Sequence, residues 1–280
     1  MNGSVLSNRD IERYYGKKIF IYPYSLDNMR GGSSYNLTAS QFAYFSDKTG
    51  VHYAVENGVI KVPPHTTVLI QTEESIFVSD NICGTYHSKV KLVSDGLSHI
   101  ATTLDPKYFG TSKIAVQNTT NQEKTIDVGS TFVSLMFYKM KRKATARHDN
   151  GPGRNDVIPV NIDKLEIDNE QKQVLKSWFD KDWRRNCDSL IDICKSTKDK
   201  TELGHKIKFL KKLSLILEII FVTIPLLLLF IHFLIVKIPF IDTIFSKSEY
   251  ISIAVSIVIA INPIKNGIIK LLENNIRGNY

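Results

Sequence analysis

The stretch from Leu213 to Val236 constrains this chain more than any other feature. It carries one charged residue, Glu218. At about 1.5 Å of rise per residue, a helix of that length covers the roughly 30 Å hydrocarbon core of a bilayer. A second apolar run, Tyr250 to Ile264, is shorter. It crosses if its helix continues past Lys265 and that ammonium reaches up to the headgroups; otherwise it lies in the interface. The expectation is a transmembrane hairpin over residues 213–272. Lys206, Lys208, Lys211 and Lys212 precede it, and Lys265, Lys270 and Arg277 accompany its end, against Lys237 and Lys247 in the short loop. Lysine and arginine mark the cytoplasmic side, so both ends of the hairpin, and the long N-terminal region with them, are expected there, at an inner (cytoplasmic) membrane. Glu218, Pro225 and His232 recur every seven residues, near one face of the first helix. Glu218 and His232 either face protein or water at depth, or reach the interface from the helix ends. Ser252, Ser256 and Ala260 form a small-residue stripe suited to close helix packing.

The formal net charge is +8. No arginine-rich run accounts for it, and the lysine cluster abuts the apolar stretch, which suits anionic headgroups better than nucleic acid. Three cysteines, Cys83, Cys187 and Cys194, do not make a disulfide framework. Met1 to Tyr15 has no signal-peptide-like apolar core, so the N-terminal domain is expected to stay in the cytosol as reduced protein.

Residues 157–212 read as a helical connector. Leu175, Trp178, Phe179, Trp183, Cys187, Leu190 and Cys194 recur at helical spacing between charges. The pattern predicts one amphipathic helix with a break near Ser196-Thr197. Its aromatic face requires a partner, either its own domain or neighbouring subunits. Cys187, Cys194 and His205 are too few and too loosely spaced for a metal centre, so no metal site is expected.

Residues 1–156 are expected to form a separate, mainly β domain. Ile19–Tyr22, Thr67–Ile70, Ser75–Val78, Lys113–Val116 and Thr131–Leu135 read as strands. Gly31-Gly32, Asn57-Gly58, Pro63-Pro64, Asp95-Gly96 and Asp105-Pro106 punctuate them. Many short strands with few helices imply a sandwich or a barrel.

Several segments, in order, resemble the family of dCTP deaminases and trimeric dUTPases. Val5-Leu6-Ser7-Asn8-Arg9-Asp10-Ile11 is similar to the deaminase opening, and Gly32-Ser33-Ser34-Tyr35-Asn36-Leu37 to the first motif. Val62-Pro63-Pro64 with Leu69 and Thr72-Glu73-Glu74 resembles a proline turn before a strand. Leu104-Asp105-Pro106, Tyr108, Gly110 and Asn118 follow the third motif. Val128-Gly129 and Leu135 sit where the next strand begins, and Asn150-Gly151-Pro152-Gly153 echoes a C-terminal glycine-proline segment. The resemblance implies a distorted jelly-roll-like β-barrel, a homotrimer, and nucleotide sites between subunits. It carries over Asn36, His87, Ser88, Lys89, Lys91, Asp105, Tyr108 and Gln117 as ligand-binding residues, with Asp105 serving a catalytic water if the site is active. It implies no cofactor beyond a magnesium ion accompanying a polyphosphate.

The departures bear on chemistry. Asn36 stands where the first motif has aspartate, and His87 where the family has an arginine that forks onto phosphate. Counting without gaps from Asp105, the deaminase glutamate falls on Ala115. A methyl group cannot move protons, so deamination is not expected. The zinc deaminase signature is missing as well. Three functions fit these residues: a membrane-anchored sensor of a nucleotide or nucleotide-derived signal that disturbs the membrane, for which anti-phage defence is a natural setting; a membrane-tethered dUTPase releasing dUMP and pyrophosphate; or a protein-binding scaffold. Nucleotide, lipids and further copies of the chain are the expected partners, and nucleic acid is not.

Overall fold

A computed structural model describes residues 4–29, 31–99, 102–145 and 162–201, with isolated helical positions at 209, 212, 213, 215, 216, 219, 227 and 270. The chain divides into two compact units, Met1–Lys198 and Asp199–Tyr280. All the strands among the described residues belong to the first. Among the described residues no helix is long and apolar enough to cross a membrane. The runs Leu213 to Val236 and Tyr250 to Ile264, with Glu218 and His232, lie outside the described residues apart from those isolated positions. So do the boundary at residue 156 and the Asn150–Gly153 segment.

The strands are β1 (Ser4–Val5), β2 (Ile19–Tyr22), β3 (Tyr35–Ser46), β4 (Val51–Tyr53), β5 (Val55–Glu56), β6 (Val59–Val62) and β7 (Thr67–Val78). They continue with β8 (Ile82–Ser88), β9 (Leu97–His99), β10 (Thr103–Leu104), β11 (Phe109–Asn118), β12 (Lys124–Asp127) and β13 (Thr131–Lys139). Two short helices, α1 (Asn8–Tyr14) and α2 (Val90–Ser94), interrupt them. The main sheet runs β10-β8-β13-β3-β7-β11-β9, with β1 on β13, β2 on β7 and β4 on β3; β12-β6-β5 form a small second sheet. The main sheet curls into a half-barrel, and a side-chain hydrogen bond between Ser88 on β8 and His99 on β9 ties its two flanks.

Alternation explains the core. Val133, Leu135 and Phe137 point inward and are buried, while Ser134, Met136 and Tyr138 point the other way. Ile19, Ile21, Leu37, Val68, Ile70, Ile76, Ile114 and Val116 fill the interior. The opening motif folds as β1 followed by α1, whose N-terminus carries a capping box between Ser7 and Asp10. Asn57 and Gly58 both take positive φ, 51° and 76°, which a tight hairpin turn between β5 and β6 demands.

The strands expected at Thr67–Ile70 and Ser75–Val78 are one twelve-residue strand, β7. Its polar middle stays in the ladder because other polar groups meet it. Thr111 Oγ1 donates to Gln71 Oε1 (2.8 Å), Thr72 Oγ1 to the Glu74 carbonyl (2.8 Å), and Ser112 N–H to Thr72 Oγ1 (2.9 Å). Register irregularities at Ala39/Ala43 and Thr111/Lys113 make room for them.

The connector departs from the single helix expected of it. It contains α3 (Asn169–Phe179), α4 (Asp182–Arg185) and a third helix, α5, over 187–201. The breaks fall at Asp180-Lys181 and at Asn186, and α5 runs through Ser196-Thr197, where the Thr197 hydroxyl donates back to the Ile193 carbonyl (2.7 Å). Asn186 starts α5 by accepting the Asp188 N–H on its side chain (2.9 Å). The aromatic face packs on the chain's own domain. Leu175 and Trp178 form a second core with Phe42, Tyr44 and Leu165, and Leu190 and Cys194 join the main one.

Candidate nucleotide site

Ser134 of β13 sits opposite Asn36 on β3 and His87 on β8. Period-2 alternation therefore puts Asn36, Ser134 and His87 in one row on the outward face. The row is hydrogen-bonded at one end and continues sideways at the other. Ser134 Oγ donates to Asn36 Oδ1 (2.7 Å). His87, exposed, shares a hydrogen bond with Thr85 Oγ1 (2.8 Å), and Thr85 Oγ1 lies 2.9 Å from the Tyr138 hydroxyl. Thr103 of β10 pairs with Thr85 and donates to Asp105 Oδ1 (3.3 Å). A string of amide, hydroxyl, imidazole and carboxylate groups thus runs from Asn36 to Asp105. Cys83 lies at its edge, its thiol pushed up by burial and, second, by the Asp105 charge.

The other sequence-derived candidates divide. Lys89 precedes α2 and donates to Thr131 Oγ1 (2.5 Å); burial, then neighbouring Lys91, lowers its pKa. Lys91 is exposed on α2. Ser88 points to the interior. Its Oγ is 2.6 Å from His99 Nδ1 and accepts the His99 backbone N–H (3.2 Å). Burial lowers the His99 pKa, and its Nε2 is buried without a partner among the described residues. The Tyr108 hydroxyl donates to the Thr111 carbonyl (2.5 Å), a structural bond. Gln117 and Ala115 lie on β11, beyond β7 from the Asn36 row, with Leu69 opposite Ala115. Asn36 and His87 share one row through Ser134, with Lys89 just before α2 and Lys91 on it, and Asp105 lies past the end of β10, reached through Thr85 and Thr103; Ser88, Tyr108 and Gln117 do not join them within one chain. Ser134, Thr85, Tyr138 and Thr103 were missed. Alternation along the recognised Thr131–Leu135 strand was signal enough to turn Ser134 outward.

The arrangement offers donors and acceptors to a sugar or a phosphate and one carboxylate to a water. Among the described residues no group of three His, Cys, Asp or Glu side chains is placed to hold a metal ion. Magnesium here would arrive on the phosphates of a ligand, with Asp105 the nearest carboxylate in the string.

Residues 5–140 match a protein family described as dCTP deaminase-like. Among particular proteins, the chain is similar to a dCTP deaminase of Thermococcus kodakarensis, 27% identical over 128 residues, covering 46% of this chain and 81% of that enzyme. It is similar in structure to the 2'-deoxycytidine 5'-triphosphate deaminase of Agrobacterium tumefaciens, with a TM-score of 0.44 and 12% identity over 50% of this chain and 47% of that one. The dUTPase of phage phi11 of S. aureus gives a TM-score of 0.35 at 11% identity, over 48% of this chain and 98% of that one.

Proposed function

We propose that the N-terminal domain binds a nucleotide or nucleotide-derived ligand without deaminating it, and that the helical connector reports occupancy to a C-terminal segment embedded in the cytoplasmic membrane. One observation carries this reading: a polar string from Asn36 towards Asp105, hydrogen-bonded within the pieces Asn36–Ser134, His87–Thr85–Tyr138 and Thr103–Asp105, persists in a segment that matches a dCTP deaminase-like family and holds a methyl group at position 115. Deamination needs a group that passes protons between water and the base, and alanine has none. The assembly is a homotrimer, as the family resemblance implies, so that Gln117 of one subunit can approach the Asn36 row of another. Lipid is the second partner, through the apolar runs after Lys212. Disturbing the membrane when nucleotide pools change fits defence against phage.

A second reading, a membrane-tethered dUTPase, is favoured by Asp105 and its Thr103 partner, which suffice to orient a water. One experiment separates the two. The full chain in lipid nanodiscs is titrated with dCTP, dUTP and dTTP plus magnesium by calorimetry, and the same samples are assayed for ammonia and pyrophosphate. Binding without ammonia release is expected. No heat at millimolar nucleotide rejects the sensor. Pyrophosphate from dUTP that disappears in Asp105→Asn establishes the second reading instead.

A further inference from the structure

The strongest charged feature outside the site is a basic face at the end of the half-barrel where α1 stops, β2 starts and β13 finishes. Arg13 and Lys17 are exposed there, with Lys18 beside them. The Lys18 and Lys139 ammonium groups lie 5.6 and 5.7 Å from one ring, that of Tyr14, so the turn before β2 and the end of β13 bring cations to the same spot. Lys141 and Arg142, both exposed, follow directly from β13. The turn after β7 closes the patch: Asn81 accepts from Lys18 Nζ on its side chain (3.2 Å) and from Met140 N–H on its backbone (2.9 Å). Few acids oppose these groups. Among the described residues, Asp80 is paired with Lys143 (2.9 Å), Asp10 is held by Ser7 while also attracting Arg13 and Lys139, and Glu12 is exposed beside them.

The described part of the first unit ends beside this face. Lys198 Nζ donates to the Tyr15 carbonyl (2.7 Å) and the Arg13 carbonyl (3.4 Å). From there the sequence continues through Lys200 to Lys206, Lys208, Lys211 and Lys212, and then into the apolar run. The face and the segment leaving it thus carry the same sign, next in sequence to the residues read as membrane-spanning. Tyr14 is half-buried beneath its two lysines, so the patch presents no open aromatic platform of the kind that stacks bases.

We propose that this basic face rests on an anionic lipid surface and sets the orientation of the domain above the membrane. The inference rests on the proposed membrane attachment, but its test does not share that reading's outcome. The full chain is mixed with vesicles of phosphatidylcholine alone or of phosphatidylcholine with phosphatidylglycerol. Its lysines are then acetylated to low conversion and read by mass spectrometry. Lys17 and Lys141 should lose reactivity several-fold only with phosphatidylglycerol and recover it in high salt, as a screened surface attraction must. Lys48, exposed at the β3–β4 turn at the opposite end of β3, should react alike in both. Arg13→Glu with Lys17→Glu should abolish protection of Lys141, and the salt dependence of the unaltered chain gives the same answer should that variant not fold. If the chain floats with both vesicles while Lys17 and Lys141 react equally, the docking face is overturned and the spanning reading survives. Flotation with anionic vesicles alone, washed off by salt, supports the face and removes the span. Flotation with neither, or protection by duplex DNA but not by vesicles, overturns the proposal.

Discussion

Ser88 illustrates how a resemblance and a strand period can point in opposite directions. The resemblance makes it a ligand-binding residue, yet on β8 Tyr86 faces in, His87 out and Ser88 in again, and its hydroxyl is committed to His99. Each role leaves a different trace when the hydroxyl is removed. In Ser88→Ala, the His99 backbone N–H and Nδ1 lose the Ser88 hydroxyl in a site where Nε2 has no partner among the described residues, which costs about 1–3 kcal/mol. Urea denaturation of the ligand-free protein should show that loss. An unchanged midpoint would mean that the serine serves only a ligand. Glu74 makes a second case. Both its oxygens accept from Thr38, Oε2 from the N–H (2.9 Å) and Oε1 from the hydroxyl (2.7 Å), and burial pushes its pKa up to about 7. The folded state thus binds this proton more tightly than the unfolded chain. Its contribution favours folding at low pH and is lost as pH rises from the ordinary carboxylate range towards 7, by on the order of 3 kcal/mol. His99, its pKa lowered, works in the opposite sense, so the comparison must be with Glu74→Gln. Midpoints measured from pH 5 to 8 should fall more steeply for the unaltered protein than for that variant, and parallel curves would remove the claim. Among the candidate residues, the outward turn of Asn36 and His87 follows from strand alternation, whereas Asp105, past the end of β10, rests on the motif alone. His99 was not legible, since a lone histidine at the end of a short strand announces nothing until β9 is seen beside β8.

Among the elements, the connector shows which part of a helical pattern can be trusted. The apolar spacing identified the residues that dock, because 3.6-residue periodicity records a buried face whatever the helix does between turns. The breaks were not legible. Asn186 caps α5 only because the chain turns there to bring Arg184 onto β7, and Thr197 satisfies its hydroxyl within the helix instead of ending it. Arg184 is the reason for the turn. Its guanidinium lies 3.7 Å from the Trp178 ring and 4.2 Å from the Trp183 ring, donates to the Glu73 carbonyl (2.7 Å) and pairs with the Glu73 carboxylate, which also accepts from Trp178 Nε1 (2.7 Å). Burial pulls the arginine down to about 10 against the Glu73 charge, so the pair is needed to keep a buried cation in place. Glu73→Gln should cost about 2–4 kcal/mol, less than a fully buried pair because Glu73 keeps part of its hydration. The chain's two tryptophans both flank Arg184. Intrinsic emission therefore reports this junction alone and should shift to the red in that variant. Unshifted emission with unchanged stability would show that the arm is held by its apolar contacts only.

At the scale of the whole molecule, those apolar contacts bear on how a signal could leave the domain. Leu175, Trp178 and Leu190 are each buried, and Cys194 sits against the Ile21 carbonyl inside the main core. At about 1.5–3 kcal/mol for each large side chain, the three contribute roughly 5–9 kcal/mol, comparable with the whole stability of an ordinary domain. A ligand shifts an equilibrium only by its difference in affinity for the two states, and complete release of the arm would demand more than most nucleotides supply. Signalling in the proposed sensor is therefore a local rearrangement around Arg184 with α3 and α5 still docked. The same magnitudes make the arm part of the fold. A fragment ending at residue 156 leaves Phe42 and Tyr44 uncovered on one side and the Tyr15–Ile21 region on the other, whereas one ending at residue 201 keeps both covered. Expressed side by side, the longer fragment should be soluble and melt cooperatively, and the shorter should aggregate or lack a cooperative transition in circular dichroism. Equal melting of the two would mean that the arm only rests on the barrel, and a fully undocked signalling state would then become energetically accessible.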